Sequence, residues 1–303
     1  MATYNYSEVL PYSIGSVLLQ TQQDFELLVV GDGCTDDSAA VVGAAGDARV
    51  RWIGLDKNAG HQSAPNNEGL RQARGEIIAY LGHDDLWFPD HLERLLAALD
   101  LGADLAWSVT RLISPDRCDD PLYLLPTYSA GAWIPPSSLA HRRSVTDRVG
   151  GWSDYRGLTE DPESDLWRRA HSAGFRFASV PRLTLVKFPA SRRRNVYRER
   201  PCHEQAGWLK RIVDEPDLAS AELLGVVAAH LPNRMFYRDL VGQLWRATSQ
   251  RLRRRFDPSE PSGMAPSAAI DRRREFKGLS QRRGSKPDLP VTAIPAFERD
   301  DSC

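Results

Sequence analysis

The chain has 303 residues, 42% of them hydrophobic, and its 39 basic and 40 acidic side chains leave a formal net charge of -1. This balance describes a globular protein, and it supplies no overall positive field that would attract nucleic acid. The four cysteines are scattered, no apolar run reaches the roughly 20 residues of a membrane span, and no secretory pattern opens the chain. We therefore expect a cytoplasmic protein with neither a zinc site nor a nucleic-acid partner.

The first hundred residues alternate between short apolar runs and apolar residues at helical spacing. This alternation is typical of a parallel β-sheet whose strands are joined by crossover helices. Predicted helices cover 7–20, 39–45, 66–73 and 89–99, and predicted strands cover 25–30, 50–55 and 76–81.

The alternation weakens after residue 100. A strand is predicted over 105–113, a loop-rich region over 116–136, a helix over 164–173 and strand-like pieces over 176–189. Residues 238–256 are predicted to form an arginine-rich amphipathic helix, which would either lie on an anionic membrane surface or, as such helices more commonly do, pack on its own domain. From 257 the composition turns to Pro, Ser, Gly and Arg, so we expect a disordered tail.

Acidic residues follow two of the predicted strands. Asp32 comes directly after the strand at 25–30, and Asp84 with Asp85 follows the strand at 76–81. Ligands of open α/β sheets bind where strands end, and Mg²⁺ or Mn²⁺ is held by carboxylates together with substrate phosphates. A single acidic loop is more often turn or capping chemistry, but two clusters at two strand ends favour a ligand site.

Several short motifs follow one another along roughly residues 2–190. They are Thr3-Tyr4-Asn5, Asp24-Phe25-Glu26-Leu27, Val30-Gly31-Asp32-Gly33-Cys34-Thr35-Asp36, Asn58-x-Gly60, Asn67-Glu68-Gly69-Leu70, Ala73-Arg74-Gly75-Glu76, Tyr80-Leu81-Gly82-His83-Asp84-Asp85-Leu86-Trp87, Gly150-Gly151-Trp152 and Asp165-Leu166-Trp167. In this order they resemble family 2 glycosyltransferases of the GT-A fold.

The resemblance implies an α/β, Rossmann-like fold with a mostly parallel sheet flanked by helices. It implies a GT-A domain over 1–200, in which 1–100 binds the nucleotide-sugar and 101–200 holds the acceptor and catalytic groups. A helical extension would follow over 201–256 and the tail over 257–303.

The resemblance also assigns roles to single residues. Asp84 matches the metal-binding acid of the Asp-x-Asp motif, which holds Mg²⁺ or Mn²⁺ on the donor diphosphate, and Asp85 beside it is a second candidate for the metal. The candidates for contact with the donor nucleotide are Thr3, Tyr4, Asp32, Asn58 and His83.

The chain departs from the family pattern at three places. Gly82 stands where the motif has its first acid, and Gly31 replaces an acid that precedes Asp32 in many relatives. The sequence also begins at Met1, inside the family's buried first strand. We expect an incomplete central strand to leave backbone groups unpaired and to lower stability and nucleotide binding.

A catalytic base is expected just before the predicted helix at 164–173. Four acids lie there, and Pro162 suits the first turn of a helix, which makes Asp161 a candidate N-cap. We favour Glu163 as the base and Asp161 as the second candidate, with Asp165 as a third. Most acids at this position only cap the helix or favour its dipole.

The predicted function is inverting transfer of a sugar, most simply from a UDP-sugar, to a hydroxyl of a glycan or lipid-linked acceptor. A membrane-peripheral position would bring the enzyme near lipid-linked acceptors. One alternative is a nucleotide-sugar-binding protein of the same fold with impaired catalysis. Another is a nucleotidyltransferase, but the sequence lacks a glycine-rich basic phosphate loop near its start.

Overall fold

A computed structural model describes residues 1–115, 122–193, 199 and 202–230. The N-terminal part forms a three-stranded sheet in the order β1-β2-β3, in which both neighbouring pairs are parallel. Helices connect the strands, as the alternating pattern predicts. The elements are β1 (Ala2–Thr3), α1 (Leu10–Leu18), β2 (Leu27–Gly31), α2 (Ser38–Gly43), β3 (Val50–Gly54) and α3 (Ser63–Gln72).

A second sheet has six strands in the order β4-β8-β6-β9-β5, with β7 beside β6. Only β6 and β9 run parallel, whereas the other four pairs are antiparallel. The elements are β4 (Ile77–Ala79), β5 (Leu86–Trp87), α4 (His91–Asp100), β6 (Leu105–Leu112), β7 (Leu122–Tyr123), β8 (Leu139–Arg142), α5 (Arg143–Val149), α6 (Pro162–Ser172) and β9 (Phe177–Lys187).

The expectation of a mostly parallel sheet therefore holds for the first sheet and is wrong for the second. Strands β6, β7 and β8 follow one another with no α-helix in the described residues between them. Antiparallel neighbours need no helical crossover, so this part of the chain folds back on itself.

An aromatic cluster fixes α6 against the second sheet. The ring of Trp167 on α6 is fully buried and packs near Tyr80, His141 and Trp152. The indole of Trp167 also donates a hydrogen bond to the carbonyl of Ile134, over 3.2 Å. The N-terminal end of α6 is thereby held close to the chain that follows β4.

An apolar cavity of about 640 Å³ lies between the two sheets. Side chains of β2, α3 and β4 line it, and Met1 stands at its edge. β1 is short, with Ala2 and Thr3 paired to Val30 and Gly31. The expected effect of the short first strand on stability and nucleotide binding stays a prediction.

Two further helices, α7 (His203–Asp214) and α8 (Leu218–His230), follow the second sheet. α7 packs on α1 and β5. The amphipathic stretch at 238–256 and the tail at 257–303 lie outside the described residues. Among the helices that are described, none is long and apolar enough to cross a membrane.

Candidate functional site

A second cavity, of about 790 Å³, opens where β1 and β2 end and where the chain leaves β4. The N-terminal end of α6 and the C-terminal end of β9 close its other side. Eight of the ten predicted site residues line this cavity. They are Thr3, Tyr4, Asp32, Asn58, His83, Asp84, Asp161 and Glu163.

Asp32 fixes a loop on the cavity wall. Its two carboxylate oxygens accept hydrogen bonds from the Asn58 amide, at 3.0 Å, and from the Ala59 backbone N–H, at 2.8 Å. Gly33 has a positive φ of 68°, and a Cβ there would lie 3.1 Å from the Asn58 Cα, so only glycine allows this close approach. The Asn58 side chain is thus held by Asp32 at the edge of the cavity.

The departure at Gly31 has a steric cause. A Cβ built on Gly31 would overlap the six-membered ring of Trp52 on β3, with which Gly31 is in van der Waals contact across the sheet. The acid of relatives cannot be placed here unless Trp52 moves.

His83 lines the cavity as a neutral side chain. Its ring stacks on Tyr6 with 4.4 Å between ring centroids, and its Nδ1 lies 3.2 Å from the Thr3 hydroxyl. Burial lowers the pKa of His83 to about 4, so it carries no charge at neutral pH.

Asp84 is half-buried and faces the cavity. Burial, and then the charge of Asp85, raise the pKa of Asp84 to about 7. Among the described residues, no group of three His, Cys, Asp or Glu side chains could hold a metal. The site therefore fits Mg²⁺ or Mn²⁺ only as an ion that Asp84 shares with donor phosphates, which is the usual mode for Mg²⁺.

Asp85, the other metal candidate, is turned away from the cavity and is completely buried. Its carboxylate accepts hydrogen bonds from the Ser137 hydroxyl (2.5 Å), the Lys187 ammonium (2.7 Å) and the Phe188 backbone N–H (3.2 Å). This geometry corrects the expectation for Asp85, because its oxygens already have partners. Gly82 packs against the same carboxylate, and a Cβ there would lie 2.8 Å from Asp85 Oδ2.

Lys187 is a cavity residue that sequence reasoning missed. It ends β9 and its side chain is 19% exposed. Burial alone would lower the pKa of Lys187, but the negative charges of Asp85 and Asp84 raise it above its ordinary value. Nothing near Lys187 in the sequence marks it, since the register between β9 and β5 brings it to the acids.

Glu163 faces the cavity from the first turn of α6. Its carboxylate accepts hydrogen bonds from the Trp133 indole and the Gln62 amide, each over 3.3 Å. Burial, and then the charge of Asp161, raise the pKa of Glu163. Asp161 is exposed and occupies the N-cap position, with Pro162 as the first helical residue, as predicted. The sequence did not single out Trp133, because it comes from a distant loop.

Asp165 lies on the other side of α6 and does not reach the cavity. It is buried and accepts hydrogen bonds from Arg168 (2.7 Å), Arg169 (2.8 Å) and the Ser153 hydroxyl (2.6 Å). This network corrects the expectation that Asp165 is a base candidate. On a helix of 3.6 residues per turn, Glu163 and Asp165 point about 200° apart.

Comparison with known proteins bears on the residues that build this cavity. The model of the family described as glycosyl transferase family 2 matches residues 1–151, which include β1 to β8 and the loops of Asp32 and Asp84. The chain belongs to this family. The family 2 match ends before α6, so the placement of Glu163 rests on the fold alone.

Two family 2 relatives show how far the likeness extends. An uncharacterized glycosyltransferase of Nostoc sp. is 32% identical over 49% of this chain and 51% of its own length. The UDP-Glc:alpha-D-GlcNAc-diphosphoundecaprenol beta-1,3-glucosyltransferase WfgD of Escherichia coli is 33% identical over 33% of this chain and 39% of its own length. The chain thus matches about half, or less, of these curated relatives.

The fold of this family 2 chain is also that of a solved glycosyltransferase structure. The crystal structure of residues 1–349 of S. aureus TarS in complex with UDP-GlcNAc has a TM-score of 0.52 and 17% identity, over 78% of this chain and 71% of that TarS fragment. At this identity the likeness establishes the shared GT-A fold.

Proposed function

We propose that this chain transfers a sugar from a nucleotide diphosphate donor, a UDP-sugar, to a hydroxyl acceptor with inversion at the anomeric carbon. The observation that carries the proposal is one cavity lined by Asp32, Asp84 and Glu163. In this proposal Asp32 contacts the base, Asp84 shares a cation with the diphosphate and Glu163 accepts a proton. WfgD, by its name, uses UDP-Glc, and TarS has been crystallised with UDP-GlcNAc, which supports a uridine donor here.

In the proposed reaction the acceptor oxygen attacks the anomeric carbon and forms the new glycosidic bond. The bond from this carbon to the β-phosphate oxygen breaks, and its electron pair leaves with the nucleoside diphosphate. The acceptor proton passes to the Glu163 carboxylate. The raised pKa of Glu163 suits a general base, because a proton acceptor works best when its pKa lies near the working pH.

Other residues of the chain hold and orient the base. The Trp133 indole and the Gln62 amide each donate to one oxygen of Glu163, which fixes the plane of the carboxylate. Trp133 also places an aromatic surface beside Glu163, against which the apolar face of an acceptor sugar can pack. When bound at Asp84, Mg²⁺ or Mn²⁺ supplies positive charge that stabilises the leaving diphosphate.

A specific observation favours a second candidate, a nucleotide-sugar-binding protein with impaired catalysis. Gly82 supplies no ligand, and Asp84 is the one carboxylate of the Asp-x-Asp stretch that faces the cavity in the described residues. A cation held by one carboxylate depends on the donor for its other ligands. Both candidates bind the donor, and only the first releases UDP in the presence of an acceptor.

Glu163→Gln tests the proposal. The amide cannot accept the proton, so we expect turnover to fall by roughly 10²- to 10⁴-fold while UDP-sugar affinity stays within about twofold. The measurements are UDP release with a panel of UDP-sugars and acceptors, and donor binding by calorimetry. Asp161→Asn is the matched control, since Asp161 is the exposed neighbour on the same turn.

The two variants separate the assignments. Activity retained in Glu163→Gln and lost in Asp161→Asn would transfer the role of base to Asp161. Donor binding without turnover in the wild-type chain, across the panel, would favour the binding protein.

A further inference from the structure

The charges on the wall of the candidate site are unevenly distributed. Five carboxylates line the cavity among the described residues: Asp32, Asp84, Glu160, Asp161 and Glu163. Lys187 is the one lysine or arginine on that wall in the described part of the chain. A diphosphate that enters this cavity meets mainly negative charge, and Lys187 is the cationic group of the chain itself that offsets it.

The ammonium of Lys187 has hydrogen-bonding capacity to spare. A lysine carries three N–H donors. Within the described residues one of them is used, by the Oδ2 of Asp85 at 2.7 Å. The side chain is 19% exposed and lines the cavity together with Asp84.

The buried acid Asp85 makes this position rigid. Ser137 and the Phe188 backbone N–H hold the Asp85 carboxylate in place, and Asp85 in turn holds the ammonium. The pairing does not remove Lys187 from the cavity, because Lys187 remains one of its lining residues. The ion pair with Asp85 therefore holds the positively charged ammonium of Lys187 in a fixed position at the cavity.

We propose that the Lys187 ammonium binds the diphosphate of the donor directly and so supplies part of the charge that the missing acid at Gly82 would have recruited through a metal. This inference rests on the proposed function. Because Lys187 belongs to the chain, its contribution persists when no divalent cation is present. Lys187 is thus a donor-binding residue that a search for acidic metal ligands passes over.

The test compares UDP with uridine, which lacks the phosphates. Binding of both ligands is measured by calorimetry in EDTA for the wild type, Lys187→Met, Lys187→Arg and Lys210→Met. Lys210 is the matched control, because it lies exposed on α7 and is paired with Asp214.

In the wild type we expect UDP to bind more tightly than uridine. In Lys187→Met we expect this preference to fall by about tenfold or more, as for loss of a charge-assisted hydrogen bond. Uridine affinity should be unchanged, and both Lys187→Arg and Lys210→Met should keep most of the preference.

Removing Lys187 also leaves the buried Asp85 carboxylate without its cation, which lowers the stability of the folded protein. A second pair of variants therefore repeats the comparison: Asp85→Asn against Asp85→Asn/Lys187→Met, in which no unpaired buried carboxylate remains. The same fall in the UDP preference is expected between these two.

Three results overturn the inference. They are an unchanged preference in both Lys187→Met backgrounds, an equal fall in uridine and UDP affinity, or a wild type that in EDTA binds UDP no more tightly than uridine. A wild type that binds neither ligand, even with Mn²⁺, contradicts the proposed uridine donor itself and removes the basis of the inference with it.

Discussion

Two adjacent carboxylates at the end of β4 have opposite surroundings. Asp84 faces the cavity, whereas Asp85 is completely buried and bonded to Lys187, Ser137 and Phe188. The two acids lie in a turn, in which the Asp85 backbone N–H donates to the Gly82 carbonyl over 3.1 Å, and their side chains leave it in different directions. The surroundings that each acid faces decide its role. The sequence alone does not show which of the two faces the cavity and which is buried.

Asp84→Asn separates the two acids functionally. We expect this variant to lose the enhancement of UDP binding by Mn²⁺, because the amide is a much weaker ligand for a hard divalent cation. Asp85→Asn is expected to lower the free energy of unfolding while Mn²⁺ still enhances UDP binding. Calorimetry with and without EDTA measures the first effect, and urea denaturation measures the second. Mn²⁺-enhanced UDP binding in Asp84→Asn equal to that of the wild type would contradict this assignment.

Gly31 and Gly82 show what can and cannot be predicted from the sequence at the level of single residues. The sequence shows that Gly31 and Gly82 stand where relatives carry acids, but it gives no reason. The structure gives one for each: Trp52 fills the space beside Gly31, and the Asp85 carboxylate fills the space beside Gly82. Both reasons depend on contacts across the fold, which a linear pattern does not contain.

At the scale of elements, α6 divides its acids between the cavity wall and a structural network. Glu163 reaches the cavity from one face, and Asp165 anchors the opposite face to Arg168, Arg169 and Ser153. The expectation of an N-cap at Asp161 followed by Pro162 is confirmed, because that signal is local. Which acid faces the cavity depends on what packs around the helix.

Asp165→Asn tests this division. Removing the charge leaves Arg168 and Arg169 without their buried partner, so we expect the free energy of unfolding to fall by about 3 kcal/mol. Turnover per folded molecule should remain close to that of the wild type, because Asp165 does not touch the cavity. Chemical denaturation and activity corrected for the folded fraction are the measurements, with Asp161→Asn as the control at an exposed position. A loss of turnover larger than tenfold in folded Asp165→Asn would restore Asp165 as a base candidate.

The elements that the sequence predicts best are those with a strong periodic signal. β2, β3 and β6 lie within two residues of their predicted bounds, and α4 and α6 are placed correctly. The short strands β5 and β8 and the helix α5 were not predicted. β5 has two residues and owes its existence to pairing with β9, which local propensity does not encode. The antiparallel order of the second sheet was missed for the same reason.

At the scale of the whole molecule, buried histidines make stability depend on pH, and His91 and His141 join His83 in this group. His91 packs against Trp87 with its Nδ1 2.7 Å from the Thr184 hydroxyl, and the ring nitrogens of His141 lie 3.1 Å from the Tyr80 hydroxyl and 2.8 Å from the Arg142 carbonyl. Burial lowers the pKa of His91 to about 3 and that of His141 to about 4. Both are below the ordinary value of about 6.5, so the unfolded chain binds these protons more readily than the folded chain.

Stability should therefore be complete above about pH 6.5 and fall as the pH approaches 4, with each histidine contributing up to about 1.4 kcal/mol per pH unit. Urea denaturation between pH 7.5 and 4.5 measures this slope. We expect His91→Met to show a shallower slope, by about one proton, and His203→Gln, at an exposed position on α7, to match the wild type. An identical slope in His91→Met and the wild type would show that His91 is not held neutral in the folded chain.

The hydrogen bond between Trp133 and Glu163 places an intrinsic tryptophan fluorophore in the candidate site. Trp87, Trp107, Trp152 and Trp167 are buried, whereas Trp133 is partly exposed on the cavity wall. A ligand that displaces water from the Trp133 indole, or disturbs its bond to Glu163, changes its fluorescence more than that of the buried indoles. Occupancy of the cavity can then be followed by emission in the unlabelled protein, and Trp133→Phe identifies the part of the signal that comes from the site.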